Sequence, residues 1–211
     1  MGMVIGLGVA YVLGSVPTGY WFAKGVKGLD IREHGSGNIG ATNVGRMLGK
    51  RWGTAVLILD IFKGTLAVVL GQVFFYRAPA AISLDMYKIF CAIAAVCGHN
   101  WTLFLGFKGG KGVATSAGAL LGVAPLLLVL SAVVWGLVAK MSGYICVASM
   151  SSAAAFCLLT FLFRSSLEIR MFGLMLAVML VAKHRGNIQR LRQGTEPKIG
   201  RAKPSRAGDA V

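Results

Sequence analysis

The chain has 211 residues, of which 56% are hydrophobic and 14% charged, and its formal net charge is +15. The apolar residues gather in runs of about twenty, the length of a membrane-crossing helix, so a soluble globular domain is excluded. Because the basic residues alternate with these runs and no aromatic stacking platform accompanies them, we expect no nucleic-acid partner. Their plainest roles are to orient the chain and to attract anionic lipid.

The first half of the chain predicts three membrane spans, at about 3–23, 53–76 and 84–105. Helices are expected because a backbone inside lipid must satisfy its own hydrogen bonds. The first run lacks a preceding positive charge and a cleavage site, so it predicts a retained span rather than a signal peptide. The basic loop 24–52 predicts a cytoplasmic loop and an N-terminus outside the membrane.

The stretch 113–139 predicts a re-entrant pair of half-helices, about 113–123 and 125–139, followed by spans at about 144–163 and 167–183. One more full crossing would place the basic segment after Lys183 outside, against the charge rule. Gly118, Gly122 and Pro125 also interrupt the stretch, and proline removes a helical hydrogen bond. Both ends of the pair should then face the cytoplasm.

The predicted architecture is therefore an all-α polytopic membrane protein with five full spans plus the re-entrant pair, seven helical pieces in all. Its N-terminus lies outside and its C-terminus in the cytoplasm. Residues 1–200 form one membrane-embedded domain, and residues 201–211 form a basic, disordered tail.

The loop 34–46, "HGSGNIGATNVGR", is typical of an anion site. Its glycines fit G-x-G-x-x-G, but the motif follows a membrane span and not a strand, so it does not predict dinucleotide binding. Glycines let backbone N–H groups approach an anion, and small polar side chains add donors; a solvated loop is the alternative. The residues concerned are Gly35, Ser36, Gly37, Asn38, Gly40, Thr42 and Asn43.

The segment 98–115, "GHNWTLFLGFKGGKGVAT", contains a second candidate anion site. It resembles a nucleotide phosphate loop, but its spacing differs, and Gly112 stands where a magnesium-binding Ser or Thr would be. Lys111 precedes an apolar half-helix, whose N-terminus already favours anions. His99 is either a base or a residue that hydrogen-bonds within the fold.

Two further clusters carry ionisable groups. Asp60 and Lys63 share one face of a predicted span, where they form either a structural ion pair or a substrate contact. His184 and Asn187 are also i, i+3 neighbours, within the basic segment "HRGNIQRLRQGTE". The four cysteines lie in apolar runs without metal-ligand spacing, so we expect buried thiols and no metal site; they are Cys91, Cys97, Cys146 and Cys157.

In this order, "GSGNIGATN--R", "D--KG", "GH----FL-FKGGKG-AT" and "HR-NI-RL--GTE" closely resemble the bacterial acyl-phosphate:glycerol-3-phosphate acyltransferase family, over residues 14–200. The resemblance implies a multi-pass enzyme of the bacterial inner membrane whose active site faces the cytoplasm. It would move a fatty acyl group from acyl phosphate to the 1-hydroxyl of glycerol 3-phosphate in phospholipid synthesis. The products would be lysophosphatidic acid and phosphate, with no acyl-CoA, acyl carrier protein, cofactor or covalent acyl-enzyme.

The resemblance also implies roles for individual residues. Arg46, Lys111, His184 and Asn187 would hold glycerol 3-phosphate, and the last three would be catalytic. Three departures from the family pattern are Thr102, Cys146 and Gly186. The donor would be held by the seven loop residues named above together with Gly109, Gly110 and Ser149, supported by Asp60, Lys63 and His99.

The chemistry of such a reaction suits this sequence. Acyl phosphate is already activated, so the protein mainly has to orient two anions and stabilise developing charge. The proton of the attacking hydroxyl would pass either to His184 or to a substrate phosphate. The bilayer is an obvious partner, and contact with the enzyme that supplies acyl phosphate is a further one to consider.

Two rival functions are weaker. A transporter of phosphorylated small molecules would explain the broken helices, but it needs polar groups on both faces or an internal repeat. A phosphatidyl-alcohol transferase needs clustered metal-binding aspartates, whereas the four aspartates are scattered along the chain; they are Asp30, Asp60, Asp85 and Asp209.

Overall fold

The computed structural model describes residues 1–76, 82–163 and 165–199; the predicted tail 201–211 lies outside the described residues. The described part contains ten α-helices and no strand, so the all-α prediction is confirmed. The helices are α1 Gly2–Ser15, α2 Thr18–Lys27, α3 Ala41–Leu48, α4 Lys50–Phe75, α5 Leu84–Asn100, α6 Val113–Val123, α7 Pro125–Ser142, α8 Ile145–Leu162, α9 Leu167–Lys183 and α10 Arg185–Arg192.

Five segments of the described chain are long and apolar enough to cross a membrane, the number that was predicted. Their membership differs at one place, because α7 is among them and α9 is not. Pro125 is at the start of α7, where its missing N–H breaks no helical hydrogen bond. Helix α7 then runs uninterrupted for 18 residues and ends three residues beyond the predicted end. The 17-residue α9 matches its predicted bounds but carries Glu168 and Arg170 near its start. The five segments are Gly2–Lys27, Lys50–Phe75, Leu84–Leu105, Pro125–Ser142 and Ile145–Leu162.

The start of α6 and the end of α7 lie on the same face of the molecule. At the start of α6, Lys111 hydrogen-bonds Asn187 just after α9. At the end of α7, the carbonyl of Gly143 accepts a hydrogen bond from the amide of Ile199 (2.8 Å). Since Asn187 also bonds Glu196, both ends meet the same C-terminal segment. These contacts show that the pair returns the chain to the face that it left, as predicted, but α7 is long and apolar enough to cross a membrane and is not the predicted half-helix.

Close backbone contacts hold α4 against α6. A Cβ atom on Gly64 would overlap the carbonyl oxygen of Thr115, and one on Gly118 would overlap that of Ile61. Small residues allow such approach, which drives helix association in lipid through packing and not through the hydrophobic effect. The two helices therefore pack backbone against backbone.

Two short helices, α3 and α10, were not predicted; each has eight residues, and α3 lies within the predicted loop 24–52 whereas α10 follows the last predicted span. The lone cysteines follow their prediction in part: Cys91 and Cys146 are buried, whereas Cys97 and Cys157 are half-buried. All four are free thiols.

Candidate active site

A cavity of about 330 Å³ opens between the polar helices and the apolar ones. Its polar end is lined by Arg46, Lys111, His184 and Asn187, which come from three separate stretches of sequence. Its apolar part extends along α9 from His184 to Gly173, a distance of about 16 Å at ~1.5 Å of helical rise per residue. The apolar lining includes Leu128, Trp135, Phe156, Leu176, Ala177 and Leu180.

Asn43 organises the loop that precedes α3. Its side-chain oxygen accepts a hydrogen bond from the amide of Ser36 (2.9 Å), and its nitrogen donates to the carbonyl of His34 (2.9 Å). The side chain is buried and therefore shapes the loop from within. Asn38 accepts from the amide of Gly40 (2.8 Å), so its side-chain nitrogen remains a donor.

The loop lines the cavity mainly with side chains and with the N-terminus of α3, and less with free glycine amides. Ser36, Asn38, Gly40, Thr42 and Asn43 line it, whereas Gly35 and Gly37 do not. The amide of Gly37 donates to the carbonyl of His34, which is 3.0 Å away. The available donors are thus hydroxyl groups and the first amides of α3, which favour an anion.

Lys111 is held at the start of α6 by the local backbone. Gly112 caps this helix with φ of 76°, a left-handed conformation that side chains disfavour. The amides of Gly109 and Gly110 donate to the carbonyls of Asn100 (3.3 Å) and His99 (3.0 Å). These two glycines lie outside the lining of the cavity, so their amides anchor the loop and do not face the predicted donor phosphate.

His184, Asn187 and Glu196 form the C-terminal side of the cavity. Nδ1 of His184 lies 2.8 Å from the carbonyl of Leu180, which can only accept, so Nδ1 carries the proton and Nε2 is the acceptor. Nδ2 of Asn187 donates to Oε1 of Glu196 (2.7 Å), and Arg190 donates to Oε2 (2.7 Å). The side-chain oxygen of Asn187 therefore faces Lys111.

Glu196 belongs to the site but was not among its predicted residues. Its carboxylate is buried and orients Asn187, as described above. The sequence signal was present, because Glu196 ends the quoted "HRGNIQRLRQGTE" motif. Trp135 was also missed; its indole N–H donates to Oγ of Ser149 (3.2 Å), a residue that was predicted. Cys146 lines the same part of the cavity.

The charges around the cavity leave two cations unneutralised. Asp60 is paired with Lys63 (2.7 Å), and Glu196 with Arg190 (2.7 Å). Among the residues that the structure describes, neither Arg46 nor Lys111 has a salt-bridge partner. Arg46 instead donates to the carbonyl of Pro197 (3.3 Å). The polar end thus favours a dianion such as a phosphate group.

Asp60, Lys63 and His99 form a buried network between α4 and α5. Nζ of Lys63 donates to Oδ1 of Asp60 and to the carbonyl of Val16 (2.7 Å each), and it lies 3.1 Å from Nδ1 of His99. For Asp60 and Lys63, the structure supports a structural ion pair over a substrate contact. For His99, it supports a hydrogen bond within the fold over the role of a base. Asp60 and His99 still touch the cavity wall.

Burial changes the acid–base properties of the polar end. It lowers the pKa of Lys111 to about 8, with Arg190 as a further cause. Burial also lowers the pKa of His184 to about 4, and the nearby charge of Lys111 acts in the same direction. At neutral pH Lys111 is therefore mostly a cation, while His184 is neutral and offers Nε2 as an acceptor.

The described residues contain no group of three or more His, Cys, Asp or Glu that could hold a metal ion. A helical multi-pass fold around a cavity with a cationic mouth and an apolar depth defines a membrane enzyme acting on phosphorylated, lipid-like compounds. The chain belongs to the glycerol-3-phosphate acyltransferase family, whose model matches residues 4–194. It is an integral membrane acyltransferase.

Relatives in several bacteria share most of their length with this chain. A glycerol-3-phosphate acyltransferase of Desulforudis audaxviator is 43% identical over 199 residues, 94% of this chain and 96% of its own. One from Thermoanaerobacter sp. is 41% identical over 192 residues, 91% of this chain and 93% of the relative. One from Listeria monocytogenes is 43% identical, covering 90% and 93%.

Two solved structures share the fold. Both are of PlsY, an integral membrane glycerol 3-phosphate acyltransferase, at 34% identity, and each comparison covers 95% of this chain and 96% of the PlsY chain. The TM-score is 0.85 for the glycerol 3-phosphate form of PlsY and 0.81 for its lysophosphatidic acid form.

Proposed function

We propose that the protein transfers a fatty acyl group from acyl phosphate to the 1-hydroxyl of glycerol 3-phosphate, releasing lysophosphatidic acid and inorganic phosphate. One observation carries this proposal: a single cavity joins an unneutralised cationic mouth to an apolar channel along α9. The mouth suits two phosphate groups, and the channel suits a hydrocarbon chain. The named forms of PlsY contain the corresponding acceptor and product.

The acceptor is held at the cationic end. Arg46 and Lys111 bind its phosphate, because charge-assisted hydrogen bonds to a buried phosphate are about twice as strong as neutral ones. His184 accepts a hydrogen bond from the reacting hydroxyl at Nε2, since its Nδ1 is committed to Leu180. Asn187 positions Lys111, and Glu196 in turn positions Asn187.

The donor phosphate lies at the start of α3, within reach of Ser36, Asn38 and Thr42. Its acyl chain extends between α7, α8 and α9, past Ser149 and Trp135. The predicted contributions of Gly35, Gly37, Gly40 and Asn43 are then mainly to the shape of the loop. Gly109 and Gly110 contribute by placing Lys111.

The reaction needs one attack and one departure. The acceptor oxygen bonds to the carbonyl carbon, and the bond between that carbon and the phosphate oxygen breaks, so the phosphate leaves with the electron pair. Lys111 and the first amides of α3 stabilise the charge that develops there. No nucleophilic side chain is required, because the donor is already activated.

The hydroxyl proton passes to a phosphate group and not to His184. A general base works best when its pKa is near the working pH, and the pKa of His184 is lowered to about 4. A phosphate group, whose second pKa is about 6, is the stronger base. His184 therefore orients the hydroxyl, and the departing phosphate carries the proton away.

We place this site at the cytoplasmic face of a bacterial inner membrane, with the N-terminus outside. The positive-inside rule supports this orientation, because the loops around Arg46, Lys111 and His184 lie on one face and are rich in Lys and Arg. An interaction with the enzyme that supplies acyl phosphate is a further expectation.

The donor assignment is tested with purified protein in detergent or lipid. Acyl phosphate, acyl-CoA and acyl carrier protein thioesters are supplied in parallel with glycerol 3-phosphate, with and without a metal chelator. We expect lysophosphatidic acid and stoichiometric phosphate from acyl phosphate alone, chelator or not. Turnover with a thioester but not with acyl phosphate would overturn the donor assignment, and loss of turnover with chelator would overturn metal independence.

A further inference from the structure

A second, smaller cavity lies beside the mouth of the first. Its volume is about 170 Å³, enough for several water molecules. We call it the polar recess. Its lining consists of Ser36, Gly37, Asn38, Lys111, Lys183, Gly186, Asn187 and Arg190. An acyl chain has no apolar wall to contact here, whereas a phosphate group and a few waters fit.

The charge of the polar recess is positive. Three of its lining residues are cations, and its wall contains no carboxylate. Nε of Arg190 donates to Oε2 of Glu196 (2.7 Å), which leaves the two terminal nitrogens of its guanidinium as donors. Lys183 has no salt bridge within the described residues. A small polar recess with this surplus of positive charge selects an anion.

Lys183 is positioned by its surroundings. Its ammonium donates to the carbonyl of Asn100 (2.9 Å) and lies 4.3 Å from the ring centroid of Trp101. One hydrogen bond uses one of its three donors, and two remain. The cation is thus held in place without being neutralised.

The polar recess shares a wall with the main cavity. Ser36, Asn38, Lys111 and Asn187 line both. An anion that passes between the two spaces therefore keeps a contact with Lys111 along the way. The polar recess is on the side of α10, away from the apolar channel.

Gly186 makes room for the polar recess. A Cβ atom at this position would lie 3.6 Å from a terminal guanidinium nitrogen of Arg190, and no closer contact constrains it. The residue is inside α10 and has no left-handed backbone conformation. A longer side chain would thus fill the recess without straining the helix, and replacement of glycine favours helix formation.

We infer that the polar recess is a waiting site for a phosphate dianion, which holds either incoming glycerol 3-phosphate or outgoing inorganic phosphate before it reaches bulk water. The assignment of these two phosphates rests on the proposed function, while the anion site itself rests on the recess. Lys183, Gly186 and Arg190 line the polar recess but not the main cavity. They act on binding and release, not on the chemical step.

Two variants test the waiting site: Gly186→Gln fills the recess, and Lys183→Gln removes one of its charges. The matched controls are Gly25→Gln, where a side chain meets open space, and Arg192→Gln, which removes an exposed charge at the end of α10. The measurements are the KM for glycerol 3-phosphate, the Ki for inorganic phosphate as product inhibitor, and kcat. Calorimetric titration of inorganic phosphate into the protein without donor measures binding directly.

We expect both recess variants to raise KM, Ki or both by about three- to tenfold, the range for a partly exposed charge-assisted contact, while kcat stays within about twofold. A change in KM alone identifies the incoming acceptor, and a change in Ki alone identifies the outgoing phosphate. Unchanged constants in both variants would overturn the waiting site, as would equal changes in the controls. If the wild type proves inactive with acyl phosphate, the proposed function fails, yet the calorimetric comparison of wild type with Gly186→Gln still tests the recess.

Discussion

The acid–base properties of Lys111 lead to a prediction about pH. Burial lowers the pKa of this ammonium to about 8, so it is charged below pH 8 and neutral above. A phosphate dianion binds the charged form. We therefore expect kcat/KM for glycerol 3-phosphate to fall as pH rises through about 8, because this ratio reports the pKa values of the free enzyme.

The magnitude follows from the titration of one group. Above its pKa, the charged fraction falls about tenfold per pH unit, so kcat/KM at pH 9.5 should lie about thirtyfold below its plateau. On the acid side, the second pKa of a phosphate monoester, about 6, sets the lower limit. The plateau should thus lie between about pH 6 and 8.

Lys111→Arg isolates the cause. A guanidinium remains charged throughout this range, so the decline above pH 8 should disappear even if the plateau is lower because the fit of the side chain has changed. Initial rates of phosphate release are measured from pH 5.5 to 9.5, with enzyme-free blanks subtracted at each pH. Lys108→Arg, a change at a neighbouring lysine outside both cavities, is the control and should keep the decline. A decline near pH 8 that persists in Lys111→Arg would refute the assignment to Lys111.

Three further predictions concern binding, packing and topology. Arg46→Ala should raise the KM for glycerol 3-phosphate about 10- to 100-fold, since charged hydrogen bonds contribute ~1.5–3 kcal/mol; near-normal kinetics would contradict its role. Gly118→Ala should lower stability by about 1–3 kcal/mol, measured by thermal denaturation in detergent, because its Cβ would overlap the carbonyl of Ile61; Gly8→Ala, which meets nothing within 4 Å, is the control and should change the midpoint little. A cysteine placed by Ser142→Cys should react with a membrane-impermeant reagent only from the cytoplasmic side, because the end of α7 contacts the segment around Ile199; labelling from outside would contradict the re-entrant path.

The helix that follows Ala124 shows which helix boundaries can be predicted from the residues alone. Pro125 predicted a break between two helices, and the break occurs there, because proline lacks the N–H of a helical hydrogen bond and its ring crowds the preceding turn. The length of the second piece was underestimated by three residues, because α7 continues to Ser142 and ends only where Gly143 takes a left-handed conformation. The short helices α3 and α10 were missed because eight residues make only about two helical turns, too few to be stable alone, and tertiary contacts stabilise them.

The predicted site residues divide in a similar way. Arg46, Lys111, His184 and Asn187 were found from charge, motif and resemblance, and the structure places all four around one cavity. Asn43 lines the same cavity, and its side chain also hydrogen-bonds the loop backbone. Which hydrogen bond an amide makes depends on the partners that the fold brings near, and these are distant in sequence.

The sequence by itself determined the membrane class, the helical backbone and the polar motifs, because these depend on local properties: hydrophobic length, charge and the backbone limits of glycine and proline. Tertiary structure alone decided how those motifs combine. Asp60 and Lys63 form an internal ion pair that contacts His99, and Glu196 accepts a hydrogen bond from Asn187. Gly186 leaves room for the polar recess. Each outcome depends on distances between residues far apart along the chain, and only the packing of the helices sets such distances.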